Sequence, residues 1–177
     1  MELNTFKNDW FKPGSKTKIF LWMIVSHLFL RTPFPWPFFL KKWMLYLFGC
    51  KFGKGLVIKP NVNIKYPWRL RLGDHVWIGE DVWIDNLANV TIDSNVCISQ
   101  GAMLLTGNHD YKSKSFDLII GEINLKEGVW IGAKSIVCPG VICNEASVLS
   151  VGSVATNHLK PNKIYQGNPA TIKKDRF

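Results

Sequence analysis

From Leu72 onward the chain places an aliphatic side chain at every sixth position: Leu72, Ile78 and Ile84, then, after two inserted residues, Ile92, Ile98 and Leu104. The series stops and resumes as Leu125, Ile131, Val137, Cys143, Leu149 and Ala155. Ten of these twelve positions hold Leu, Ile or Val, against 46 of 177 in the whole chain. Four residues after an aliphatic runs a second register: Val76, Val82, Ala88, Val96, Ala102, Val129, Ser135, Val141, Ser147 and Ser153, all small or β-branched. A fainter start stands at Ile58, Ile64 and Leu70. A period of six fits neither a helix nor the plain alternation of a half-buried strand. It fits short strands joined by tight corners, with one bulky and one small inward side chain per side. Gly73, Gly79, Gly128, Gly132 and Gly140 supply permissive backbone near those corners. One such coil cannot bury its own core, so the coils must stack and pair their main chains, as in an all-β solenoid. Trp77, Trp83 and Trp130 each precede a repeat aliphatic and by alternation point outward, onto a sugar ring or into a subunit interface.

The repeat is interrupted between Leu105 and Leu125 by the polar stretch Thr106 to Asn124. Loops that leave a rigid scaffold cost little entropy and are where chemistry tends to sit. His109 is the one histidine of this loop, and imidazole titrates near neutrality, as a general base must. On local grounds it could equally be a solvated loop residue.

Before the repeat the pattern changes. Ile19–Leu30 is an apolar run broken only by Ser26 and His27, followed by Arg31, the stretch Pro33-Phe-Pro-Trp-Pro-Phe-Phe, Lys41-Lys42 and apolar Trp43–Phe48. The run is shorter than the roughly 20 residues a membrane span needs, and Pro33, Pro35 and Pro37 stop any helix from continuing. Two short apolar helices around a proline elbow remain, with two readings. Residues 1–50 lie in a membrane interface, or they cap the first coil or mediate assembly. The chain thus divides into an apolar, basic helical segment at 1–55, a solenoid at 56–160 with loop 106–124, and a C-terminal tail at 161–177.

Charge sharpens this division. Residues 1–60 hold ten Lys or Arg against two acids, while residues 61–177 hold twelve against eleven. The basic residues lie among apolar aromatics without a recognisable nucleic-acid motif, so nucleic-acid binding has no support. Cys50, Cys97, Cys138 and Cys143 form no CxxC pair and read as free thiols of a reducing compartment. No signal-peptide layout opens the chain. The expectation is cytoplasmic residence, with the inner membrane face as the place of any peripheral contact.

Ile131-Gly-Ala-Lys-Ser-Ile, Val137-Cys-Pro-Gly-Val-Ile, Val151-Gly-Ser-Val and Gly167-Asn-Pro-Ala resemble the hexapeptide-repeat acyltransferases, over roughly residues 56–174. Lys65-Tyr-Pro-Trp, Gly73-Asp-His-Val-Trp-Ile-Gly-Glu, Ile98-Ser-Gln and Thr106-Gly-Asn-His-Asp-Tyr are most similar to the O-acetyltransferases of colanic-acid and related exopolysaccharide biosynthesis. The galactoside and maltose acetyltransferases are more distant likenesses. The resemblance implies a left-handed parallel β-helix, a homotrimer with sites between subunits, acetyl-CoA as co-substrate and no metal. It implies that the loop histidine, His109, is the general base for a sugar or lipid-linked sugar hydroxyl, with Asp110 or a main-chain carbonyl orienting its ring. Asp85, Asn86 and Asn108 fall where relatives meet the acceptor, although Asp85 and Asn86 read equally as a structural corner. The amide of Ala133 is implied as the oxyanion donor, and Ala133, Val151 and Thr156 as contacts of the pantetheine arm. Asn157-His158 stands where many relatives carry Lys-Asp, leaving Lys173 and Lys174 as candidates for the nucleotide phosphates. With no Cys or Ser beside His109 in sequence, direct transfer is expected rather than an acyl-enzyme.

Three other readings compete. N-acetylation of an amino-sugar nucleotide, or another acyl transfer such as serine acetylation, could use the same scaffold and base. A metal-dependent hydratase would need about three convergent ligands, whereas His27, His75, His109 and His158 are scattered. A non-catalytic scaffold would explain the repeat but not the loop histidine.

Overall fold

In the computed structural model, which describes residues 1–177, both registers face inward. All twelve aliphatic positions and all ten small ones are buried. The strands stack as three parallel faces of a triangular coil. Face 1 stacks Lys51–Phe52, Leu70–Leu72, Val90–Ile92, Ile123–Leu125 and Ile142–Cys143. Face 2 stacks Val57–Ile58, Trp77–Ile78, Cys97–Ile98, Trp130–Ile131, Val148–Leu149 and Lys163–Gly167. Face 3 stacks Asn63–Ile64, Trp83–Asp85, Met103–Leu105, Ile136–Val137 and Val154–Ala155. Register is strict: Ile78 pairs with Ile98, Ile98 with Ile131, and Ile131 with Leu149, so the core is a column of like side chains. Trp77, Trp83 and Trp130 do point outward.

The corners work differently from the sequence expectation. Where face 1 turns into face 2 and face 2 into face 3, the residue before the small inward position is left-handed. Such residues include His75 (φ 55°), Asp81 (φ 56°), Asn95 (φ 61°) and Lys134 (φ 54°), and glycine fills only some of these places. Gly128 and Gly140 have positive φ, as expected. Gly73 and Gly132 are there for closeness instead, since a Cβ on either would stand 2.6 Å from a main-chain nitrogen of the next coil.

Each coil donates its N–H groups to the next, as Val57 does to the Val76 carbonyl and Asn63 to that of Val82. The carbonyls of the first coil therefore face an open end. Helices α1 (Lys16–Phe29) and α2 (Phe38–Leu47) close it. The Ser15 side chain caps α1 by accepting from the Lys18 N–H, and the proline elbow separates the two helices. Trp22 Nε1 donates to the Ile64 carbonyl at 2.8 Å. Lys41 Nζ reaches the Ile58 and Lys59 carbonyls at 3.5 and 3.3 Å. Leu30 and Leu45 extend the core beneath the first coil. No helix is long and apolar enough to cross a membrane.

Three boundaries differ from those read in the sequence. Lys51–Phe52 already pairs with Arg71–Leu72, so the coil begins before residue 56. The excursion is shorter than 106–124: it leaves at Thr106 and returns at Gly121, whose N–H donates to the Thr106 carbonyl. Residues 161–177 are not a loose tail. Lys163–Gly167 adds a rung to face 2 and pairs antiparallel with Ala170–Asp175, and the Arg176 guanidinium binds the Gly128 and Ala146 carbonyls. A hairpin alternates with period two, so a search at period six passes over it.

Burial lowers the pKa of Lys41 below its ordinary 10.5. The unfolded chain therefore holds this proton more tightly, and the group opposes folding at neutral pH, less so as pH rises towards 10.5. Urea titrations from about pH 7 to about pH 10 should show wild type gaining stability relative to Lys41→Met as pH rises. A constant difference would mean that the ammonium is solvated in the folded chain.

Candidate functional site

The excursion between Thr106 and Gly121 is an antiparallel hairpin in which Gly107–His109 pairs with Leu118–Ile120. Its register brings the Phe116 carbonyl to 2.8 Å from His109 Nδ1. A carbonyl can only accept, so Nδ1 carries a hydrogen, and in the neutral ring the lone pair is on Nε2. The imidazole lies flat on the Phe116 ring, with centroids 4.2 Å apart and planes within 3°. Phe6 stands beside it at 5.6 Å.

Phe6 arrives there because residues 1–14 run beside the solenoid rather than joining the helical cap. Trp68 Nε1 donates to the Pro13 carbonyl, the Arg69 guanidinium to that of Lys12, and the Glu2 N–H to that of Lys114 in the hairpin. No period or motif marks this strap in the sequence.

Asp110 does not orient the ring. Its Oδ1 accepts from the Lys112 N–H at 2.9 Å, and its own N–H donates to the Asp117 carbonyl, so it fixes the hairpin turn. The orienting group is the main-chain alternative, the Phe116 carbonyl. Asn108 Oδ1 accepts the His109 N–H, and its side chain is otherwise exposed. Ser113 and Ser115 both donate to the Asp117 carboxylate, and these hydroxyls hold its pKa below the usual carboxylate range. The thiols are poor nucleophile candidates: burial pushes Cys50 and Cys143 up to about 12 and raises Cys97 and Cys138 as well. No group of three His, Cys, Asp or Glu side chains converges in metal-binding geometry. His158 Nδ1 instead accepts the Ile142 N–H at 3.1 Å.

The hairpin is rooted on the edge where face 3 turns into face 1. The Asp85 carbonyl, one coil below, accepts both the N–H and the hydroxyl of Thr106. The Asp85 carboxylate lies 2.8 Å from Lys65 Nζ. With Arg31, Ser26 and Trp83 these residues line a depression of about 190 Å³ between α1 and face 3. Trp83 shares the strand of Asp85, whereas Arg31 comes from the cap, so only the tertiary structure brings Arg31 to Asp85. Asn86 has a different duty from the acceptor contact expected of it. It is fully buried, with Oδ1 accepting from the Tyr66 N–H and Nδ2 donating to the Tyr66 carbonyl. The side-chain amide replaces a main-chain rung where the two inserted residues break the ladder.

The remaining expected residues divide between edges. Thr156 is exposed just after Val154–Ala155, on the same edge as the hairpin root. Ala133 and Val151 lie on the edge between faces 2 and 3, stacked through the Gly152 N–H on the Ala133 carbonyl. The Ala133 N–H makes no hydrogen bond within the chain, and the Val151 side chain is exposed. Lys173 and Lys174 are exposed on the outer strand of the C-terminal hairpin. One chain therefore gathers Asp85, Asn108, His109, Asp110 and Thr156 along one edge, on successive coils, and leaves Ala133 and Val151 a face away.

No family model matches the chain. The chain is 38% identical over 170 residues to a protein assigned as the colanic acid biosynthesis acetyltransferase WcaF of Escherichia coli (strain K12), covering 94% of this chain and 91% of the relative. A hexapeptide-repeat acetyltransferase of Vibrio cholerae, solved with acetyl coenzyme A, superposes with a TM-score of 0.82 at 22% identity over 98% of this chain and 97% of that one. A maltose O-acetyltransferase of Clostridium difficile 630 superposes with a TM-score of 0.82 at 20% identity over 90% of this chain and 86% of that one. The coil is accordingly the left-handed parallel β-helix of these structures.

Two expectations follow from the hydrogen bonds. In ¹⁵N NMR of labelled imidazole, the neutral His109 ring should carry its hydrogen on Nδ1 in wild type and equally in Asp110→Asn; a tautomer change in that variant would return the orienting role to Asp110. Asn86→Ala strands two buried main-chain groups and should cost about 1–3 kcal/mol in urea unfolding. A loss below about 0.5 kcal/mol would mean that water replaces the amide.

Proposed function

The chain belongs to the hexapeptide-repeat acetyltransferase family, and on that premise we propose that it transfers acetyl from acetyl-CoA to a sugar hydroxyl in polysaccharide biosynthesis, with His109 as general base. The observation that carries this reading is the Phe116 carbonyl on His109 Nδ1, which leaves Nε2 ready to accept a proton. Nε2 removes the hydroxyl proton as the sugar oxygen bonds to the thioester carbonyl carbon. The Phe116 carbonyl stabilises the imidazolium that forms. The Ala133 N–H, free of any partner in the chain, suits the developing oxyanion. As the carbon–sulfur bond breaks, Nε2–H returns its proton to the departing thiolate, and no acyl-enzyme is formed.

The acceptor fits the depression beside Asp85. Lys65, Asp85 and Arg31 offer charged hydrogen-bonding groups to sugar hydroxyls, and Trp83 offers a ring face. Thr156 and Val151 border the course of the pantetheine arm, and Lys173 and Lys174 are free to meet phosphates. Ala133 and His109 occupy different edges of the chain's solenoid, so the complete site needs a second copy that lays its Ala133 edge against the hairpin. A homotrimer of parallel coils supplies three such contacts, and cyclic closure leaves none unused.

The reading is tested by thiol release from acetyl-CoA, comparing wild type with His109→Ala across a panel of sugars and lipid-linked sugars. Acceptor-dependent release should fall at least about a hundredfold in the variant. Unchanged release would remove His109 from the mechanism, and acetyl transferred to an amine alone would reassign the acceptor.

A further inference from the structure

The cap that closes the first coil has a second face with no partner in the chain. On α1 the inward side is Trp22, Ser26 and Leu30, all buried, while Phe20, Leu21, Met23, Ile24 and Leu28 are exposed on the other side. On α2 the inward side is Lys41 and Leu45, and the exposed side carries Phe39, Trp43, Tyr46 and Leu47. These exposed residues recur at spacings of three and four, so each helix presents one continuous apolar stripe. Phe34 of the elbow and Phe38 at the start of α2 add to it, with 56% and 49% of their surfaces exposed. Soluble surfaces rarely keep so large a contiguous apolar patch without an occupant. Because the inward sides of both helices bind the open edge of the coil, the apolar sides face away from it.

Charge identifies the occupant. Residues 10–73 contain twelve Lys or Arg and not one Asp or Glu. Lys41 is buried among them, but Lys16, Arg31, Lys51, Lys54 and Lys59 are exposed. We propose that this face docks on an anionic lipid bilayer, with the aromatic and aliphatic stripes of α1 and α2 in the headgroup layer and the exposed cations against lipid phosphates. Short helices lying flat, with Trp and Tyr at the boundary and cations at the rim, match interfacial insertion rather than spanning. A second copy fits less well, because an end-to-end pair would bring the same predominantly cationic surface against itself. Coils assembled in parallel would present their caps on one side, so several shallow anchors would act together. Arg31 of the acceptor depression belongs to this cap, which, on the acceptor reading above, sets the reacting hydroxyl close to the lipid surface.

The test is flotation of the full-length protein with vesicles of phosphatidylcholine alone or mixed with phosphatidylglycerol, without acetyl-CoA or acceptor, so that it reads docking independently of acetyl transfer. Wild type should float with the anionic vesicles. The floated fraction should drop at least about tenfold for Phe20→Ser/Phe39→Ser/Trp43→Ser and about as much for wild type on neutral vesicles. Thermal unfolding and sedimentation velocity establish whether the triple variant keeps its fold and assembly. Should it misfold, Lys16→Glu/Lys59→Glu carries the test, with the same direction of change. Equal flotation of wild type and the folded variants, or no flotation of wild type, would overturn the proposal. So would loss of assembly in a folded triple variant, which would assign the face to a second copy.

Discussion

Each coil of this protein depends on the next for its hydrogen bonds. Two-residue rungs such as Ile136–Val137 are too short to form structure alone, and their N–H and carbonyl groups are satisfied only by the rungs above and below. Stacking in exact register also fixes the core, because Ile78, Ile98, Ile131 and Leu149 must share one column. A bulky residue that moved by one position would turn outward, and its small partner would leave a void. The regularity of the repeat is therefore a packing requirement.

The same dependence makes the ends costly. The first coil has carbonyls with no rung below them, and α1 and α2 supply the missing donors from Trp22 and Lys41. This requirement explains a lysine buried under the core, despite the desolvation that lowers its pKa. At the other end the C-terminal hairpin adds one rung to face 2, and Arg176 gathers two carbonyls. Both terminal devices also present exposed cations, Arg31 at one end and Lys173 and Lys174 at the other.

The candidate site lies where the coil is locally irregular. The inserted residues near Asn86 open the ladder, and the hairpin holding His109 leaves from the coil directly above. Departing from a rigid edge, the hairpin needs only its own short pairing and the Asp110 and Asp117 turn contacts to hold the imidazole. The strap of residues 1–14 adds Phe6 to one side of the ring, joining the far N-terminus to the candidate base.

The inward positions were legible along the chain because a solenoid repeats its environment, so the period in residue type is the period in space. His109 was legible because it interrupts that repeat, and the three outward tryptophans because alternation assigns their side. What the tertiary structure decided were partnerships across large separations or set by local register. The Phe116 carbonyl was chosen over Asp110 by hairpin pairing, which residue types do not encode. Asn86 reads the same in sequence whether it binds a sugar or replaces a rung; its burial against Tyr66 decides it. Trp22 and Lys41 lie in two short helices that each resemble any interfacial helix, and their duty exists only because a coil leaves open carbonyls above them. Sequence determines periodic packing directly, whereas the pairing of one polar group with another depends on which chain ends and edges the fold brings together.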